Sequence, residues 1–77
     1  MELSVQCHLR KLLYEKGMEQ KTLHQITGIR EMTISEMCRN INQNFSRVQI
    51  VEIMKALELT DINQLITVEV IKKDDPQ

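Results

Sequence analysis

The stretch "LHQITGIREMTISEMCR", residues 23–39, limits the possible folds of this 77-residue chain more than any other segment. Leu23 and Ile26 precede Gly28 at helical spacing, and Ile29, Ile34, Met37 and Cys38 follow it. A glycine at the break supplies the positive φ that a tight helix-to-helix turn needs. Two short helices, from about Gln20 to Thr27 and from about Glu31 to Arg39, joined by such a turn make a helix-turn-helix. The first braces against the core with Leu23 and Ile26 inward. The second projects at a steep angle, so that its outer face can enter the major groove of DNA.

The flanking segments read as further helices. Val5, Leu9, Leu12 and Leu13 fall at i, i+4, i+7 and i+8 and predict a first helix, with Cys7 on its opposite, exposed face. Gly17 can end that helix in a left-handed cap. Residues 40–45 are rich in Asn and read as a loop. Ser46 then reads as an N-cap, with Gln49 completing a capping box. A fourth helix would bury Ile50, Ile53, Met54 and Leu57. Thr60 or Asp61 would cap a short fifth helix carrying Ile62, Leu65 and Ile66.

From Thr67 to Ile71 the pattern becomes β-branched and alternating, which is strand chemistry. A lone strand leaves its N–H and C=O groups unpaired and tends to recruit a partner. Two partners are available, the residues around Leu3 to Val5 of the same chain or the same segment of a second copy. Pairing within a dimer is the expected arrangement. Lys72 to Gln77, charged and with one proline, read as a disordered tail. The domain reading is therefore a body over 1–66, a pairing strand over 67–71 and a tail over 72–77.

A chain of this length folds as one domain with a small core. Its only aromatics are Tyr14 and Phe45, so the core must be aliphatic. No apolar run approaches the roughly 20 residues that span a bilayer, and the start lacks the features of a secretory signal; a cytoplasmic protein is expected. Net charge is −1, with no global basic footprint for nucleic acid. Its distribution is uneven: residues 1–47 hold seven Lys/Arg against five Glu, and residues 48–77 hold three against six Asp/Glu. One face can therefore approach phosphate while the other stays away. Cys7 and Cys38 read as reduced thiols. With His8 and His24 they match no recognised ligand spacing, so no metal or other cofactor is expected. No nucleophile stands with a base partner and no phosphate loop is present, which argues against an enzyme.

"LLYEKGMEQKTLHQITGIREMTISEMCRN", residues 12–40, resembles the Cro/repressor-type helix-turn-helix family, in particular its small stand-alone bacterial and phage members. Glu15-Lys16-Gly17-Met18, then Gln20, Leu23, Thr27, Gly28, Ile29, Ile34 and Met37, carry the likeness. "IVEIMKALEL" and "DINQLI" resemble the family's fourth and fifth helices. The resemblance implies an all-α, five-helix, lambda-repressor-like domain, here with a short C-terminal strand. It places base contact on Glu31, Met32 and Glu36. Gln20, Lys21 and Arg30 would flank the groove, Thr33 and Ser35 would donate to phosphate lower on the helix, and Arg39, Asn40 and Arg47 would clamp the backbone.

The chain departs from the family at three places. His24 stands where alanine is usual, so it either splays the two helices or points to the rim. Val48 and Val51 replace polar residues and, with Val68 and Val70, mark a dimer or partner surface. Glu31 and Glu36 can accept from cytosine N4, or they can be a solvated helix face. The leading expectation is a sequence-specific regulator of transcription, a repressor, that binds double-stranded DNA as a homodimer without a membrane or a small-molecule ligand. The alternative is a protein-interaction module on the same scaffold, antirepressor- or antitoxin-like.

Overall fold

A computed structural model describes residues 2–71. Strand β1 (Glu2–Cys7) leads into α1 (Leu9–Lys16), α2 (Gln20–Thr27), α3 (Glu31–Cys38) and α4 (Arg47–Leu57). A single 3-10 turn (Ile62–Gln64) then feeds strand β2 (Ile66–Ile71). The two strands pair antiparallel, from Glu2 opposite Ile71 to Cys7 opposite Ile66.

This corrects the all-α, five-helix expectation in two places. Residues 2–7 form a strand and not the start of the first helix. Val5 fits both a four-residue step to Leu9 and a two-residue alternation with Leu3 and Cys7, and pairing with β2 decides for the second. The fifth helix is reduced to one turn. Asp61 Oδ1 accepts from the Asn63 N–H at 2.9 Å, and Gln64 Oε1 accepts from the N–H groups of Thr60 and Asp61 at 3.0 Å. Leu65 then dives into the core and the chain extends at Ile66. The partner of the C-terminal strand is β1 of the same chain, so the strand pairing expected between two copies is made within one. The segment read as a tail, 72–77, lies outside the described residues.

The helices end where the sequence says they can. Gly17 and Gly28 close α1 and α2 at φ 64° and 77°, and Ser46 Oγ caps α4 by accepting from the Gln49 N–H at 3.0 Å. Seven side chains are almost completely buried: Leu9, Leu23, Ile34, Met37, Ile53, Leu57 and Leu65. Each of the four helices supplies at least one, and each burial is worth roughly 1.5–3 kcal/mol. Ile26 is not among them. It is 55% exposed, because α2 turns only a narrow stripe, centred on Leu23, to the core. Cys7, expected outside, is buried where the sheet meets the helices.

The base of the ribbon is fixed to the body at three points. The His8 N–H donates to the Leu65 carbonyl at 2.7 Å. His8 Nε2 and Thr67 Oγ1 lie 2.8 Å apart. Asn40, just past α3, accepts from the Cys7 N–H through Oδ1 at 2.8 Å, and its Nδ2 donates to Gln6 Oε1.

Candidate nucleic-acid interface

The turn between α2 and α3 is tied by side chains as well as by Gly28. Thr27 Oγ1 donates to the Leu23 carbonyl at 2.8 Å and accepts from the Ile29 N–H at 3.1 Å, bridging the last turn of α2 to the residue beyond the glycine. His24 Nδ1 lies 2.6 Å from the Ile29 carbonyl oxygen. A carbonyl only accepts, so Nδ1 carries the proton. His24 therefore does not idle at the rim. It is half-buried and pins the backbone that launches α3. Ile29 itself is buried and anchors the turn in the core.

Ile34, Met37 and Cys38 form the inward stripe of α3. At 100° per residue, Met32 and Glu36 lie opposite that stripe, with Glu31 and Ser35 on one flank and Thr33 on the other. Met32, at 71% exposure, is the most prominent apolar group on this helix. Arg30 and Arg39, both exposed, stand at its N-cap and C-cap positions. They are roughly 13 Å apart along the axis, comparable with the about 12 Å width of the major groove.

Two further helix starts complete the surface. Gln20 and Lys21 open α2 and are exposed, and no side chain caps this helix through Glu19. The start of α3 likewise has no side-chain cap through Arg30. The N–H groups there face outward with the positive end of the helix dipole, which suits an anion. Arg47 is exposed on the first turn of α4. An open cleft of about 480 Å³ joins the start of α3 to the start of α4, with Arg30, Thr33, Ser46 and Val48 on its walls.

The expected contact residues therefore fall into groups. The α3 set, Arg30 to Glu36, is contiguous, and the α4 start adjoins it across the cleft. Asn40 differs, because both ends of its amide are engaged with β1. That bond pair was invisible in the sequence, where an Asn after a helix reads equally well as a phosphate donor. Of the four valines assigned to one dimer or partner surface, Val48 lies on the cleft beside the helix-turn-helix, Val51 on the next turn of α4, and Val68 and Val70 on β2.

The thiols are buried in the core, Cys38 on the inward side of α3 and Cys7 at the end of β1. Burial pushes both up from the ordinary value of 9.0, and for Cys38 the neighbouring Cys7 adds to the rise. Thiols held protonated at neutral pH are poor nucleophiles and poor metal ligands. Among the described residues, no three His, Cys, Asp or Glu side chains converge on a metal position, and no helix is long and apolar enough to cross a membrane.

Neither the curated proteins nor the solved structures contain a match to this chain. The family model for the Cro/C1-type HTH DNA-binding domain matches residues 8–70, which takes in all four helices and most of β2. A tied turn, a projecting third helix with arginines at both ends and this match lead to one conclusion: the chain belongs to the Cro/C1-type helix-turn-helix family and is a DNA-binding regulator of transcription.

Proposed function

We propose that the protein is a sequence-specific regulator that lays α3 in the major groove, binds two half-sites as a dimer and represses by occupying its site. The observation that carries this reading is the build of α3. Its inward stripe and its tied turn leave Glu31 and Met32 exposed, with Glu36 half-buried a turn further on, between two exposed arginines spaced for the groove. Arg30, Arg39, Arg47, Gln20 and Lys21 hold the backbone in this reading, with Thr33 and Ser35 as secondary donors. Met32 meets a thymine methyl, and Glu31 and Glu36 accept from cytosine N4.

The carboxylates are the discriminating test. Each repels phosphate, so Glu31→Gln and Glu36→Gln separate two roles in a binding assay over a panel of duplexes. If they read cytosine, each substitution changes base preference at its own position by about 1–3 kcal/mol. A uniform tightening on every duplex would instead make both a solvated, repulsive face. A second reading, a protein-interaction module, draws support from Val48 at 70% and Val51 at 51% exposure on α4. Indifference of DNA binding to both substitutions would favour it. Repression is tested with a reporter carrying the selected site, where expression is expected to fall when the chain is present.

A further inference from the structure

Three residues, Gly28 to Arg30, separate α2 from α3. Gly28 closes α2 and donates its N–H to the His24 carbonyl at 2.8 Å. Two consecutive peptide planes then carry the chain into α3, and each is rigid in itself. The first holds the Ile29 N–H, which donates to Thr27 Oγ1 at 3.1 Å. The second holds the Ile29 carbonyl, which lies 2.6 Å from His24 Nδ1. That second plane also contains the nitrogen and Cα of Arg30, the N-cap of α3. Both planes are therefore set by side chains of α2, and the Ile29 side chain between them is buried. Thr27 is seated in turn, because its Oγ1 donates to the carbonyl of the fully buried Leu23 at 2.8 Å. His24 thus grips the turn twice, through its own carbonyl and through its ring.

We propose that His24 is a positioning residue for the reading of DNA sequence. Its Nδ1–H, held on the Ile29 carbonyl, sets the direction in which α3 leaves the turn, and so where Glu31 and Met32 stand against base edges. This deepens the reading of α3 as the groove helix and rests on it. The two kinds of DNA contact differ in what they ask of this brace. A charge on phosphate acts over several ångströms and tolerates a small shift of the helix. A hydrogen bond or methyl contact to a base edge needs placement within about 0.5 Å. Arg30, Glu31 and Met32 follow the pinned carbonyl directly, so rotation of that one plane moves the first turn of α3 before anything else. The brace therefore acts on discrimination between sequences and little on general affinity.

Affinities for a duplex obtained by selection and for an unrelated duplex, measured by anisotropy at fixed salt, separate the two effects. His24→Ala is expected to lower their ratio by about fivefold, with binding to the unrelated duplex and the salt slope unchanged. His24→Asn carries its Nδ2 donor on Cγ, where histidine carries Nδ1, and is expected to restore the ratio to within about twofold. A ratio untouched by His24→Ala, a loss shared equally by both duplexes, or an asparagine no better than alanine overturns the proposal.

The free chain gives a decision without DNA. Imidazole nitrogen NMR shifts of the parent are expected to show the proton on Nδ1. The Ile34 N–H, which donates to the Arg30 carbonyl at 3.0 Å at the start of α3, is expected to exchange faster in His24→Ala and to recover in His24→Asn. A bare Nδ1, or exchange indifferent to both substitutions, overturns the brace. Should His24→Ala lose its fold, the tautomer of the parent and the ratio for His24→Asn still decide. A parent that prefers no sequence removes the reading of α3 and the purpose of the brace with it, whereas a parent that prefers one and has a bare Nδ1 removes the brace alone.

Discussion

Arg30→Ala and Arg39→Ala together are expected to weaken binding to every DNA sequence alike, by about tenfold per residue, and to flatten its salt dependence. Each lost phosphate contact should lower the slope of log affinity against log salt by about one. Both side chains are exposed at the two ends of α3 and no core contact depends on them, so far-UV circular dichroism and melting should stay those of the parent. Fluorescence anisotropy with a labelled duplex at two or more salt concentrations reads both quantities. Full-strength binding by the double variant would remove α3 from the interface, whatever the family.

The second large effect is on stability, at a residue the sequence assigns to DNA. Asn40 sits at φ 61°, where an alanine costs about 1–2 kcal/mol and a glycine almost nothing. Its side chain holds β1 through Gln6 and the buried Cys7 N–H. Leaving that N–H without a partner costs about 1–3 kcal/mol. Asn40→Ala is therefore expected to lose about 3–4 kcal/mol and Asn40→Gly about half as much. A domain of this size holds about 5–15 kcal/mol, and each kcal/mol moves the melting temperature by roughly 4–8 °C. Thermal melts of both variants give the comparison. If both melt with the parent, Asn40 does not hold the ribbon. If alanine and glycine fall equally, the hydrogen bonds carry the whole effect and the left-handed backbone none.

Much of the helical body was legible because its signals are local. Gly17, Gly28 and Ser46 act within one turn, and Leu23, Ile34, Met37 and Leu57 sit at spacings that only a helix puts on one face. The N-terminal strand was not legible, because Val5 obeys both periodicities and its partner lies more than sixty residues away. For the same reason β2 was recognised as strand while its partner was misassigned to a second copy. Five residues were read as a helix at 62–66, but a capped 3-10 turn satisfies the same Asp61 and Gln64 signals with fewer residues. The outward positions of α3 were visible as a helix face. The roles of His24 and Asn40 were not, since both depend on backbone atoms brought in by the fold: the Ile29 carbonyl for one, the Cys7 N–H for the other.

The most direct test of α3 as a reader of DNA is selection of bound sequences from a random double-stranded pool by the full chain at low and moderate salt. Enrichment of two inverted half-sites about one helical turn apart is expected, with retention falling as salt rises. A single enriched half-site would keep the reading of DNA and remove the dimer. Retention of no sequence even at low salt would contradict the DNA-binding function itself.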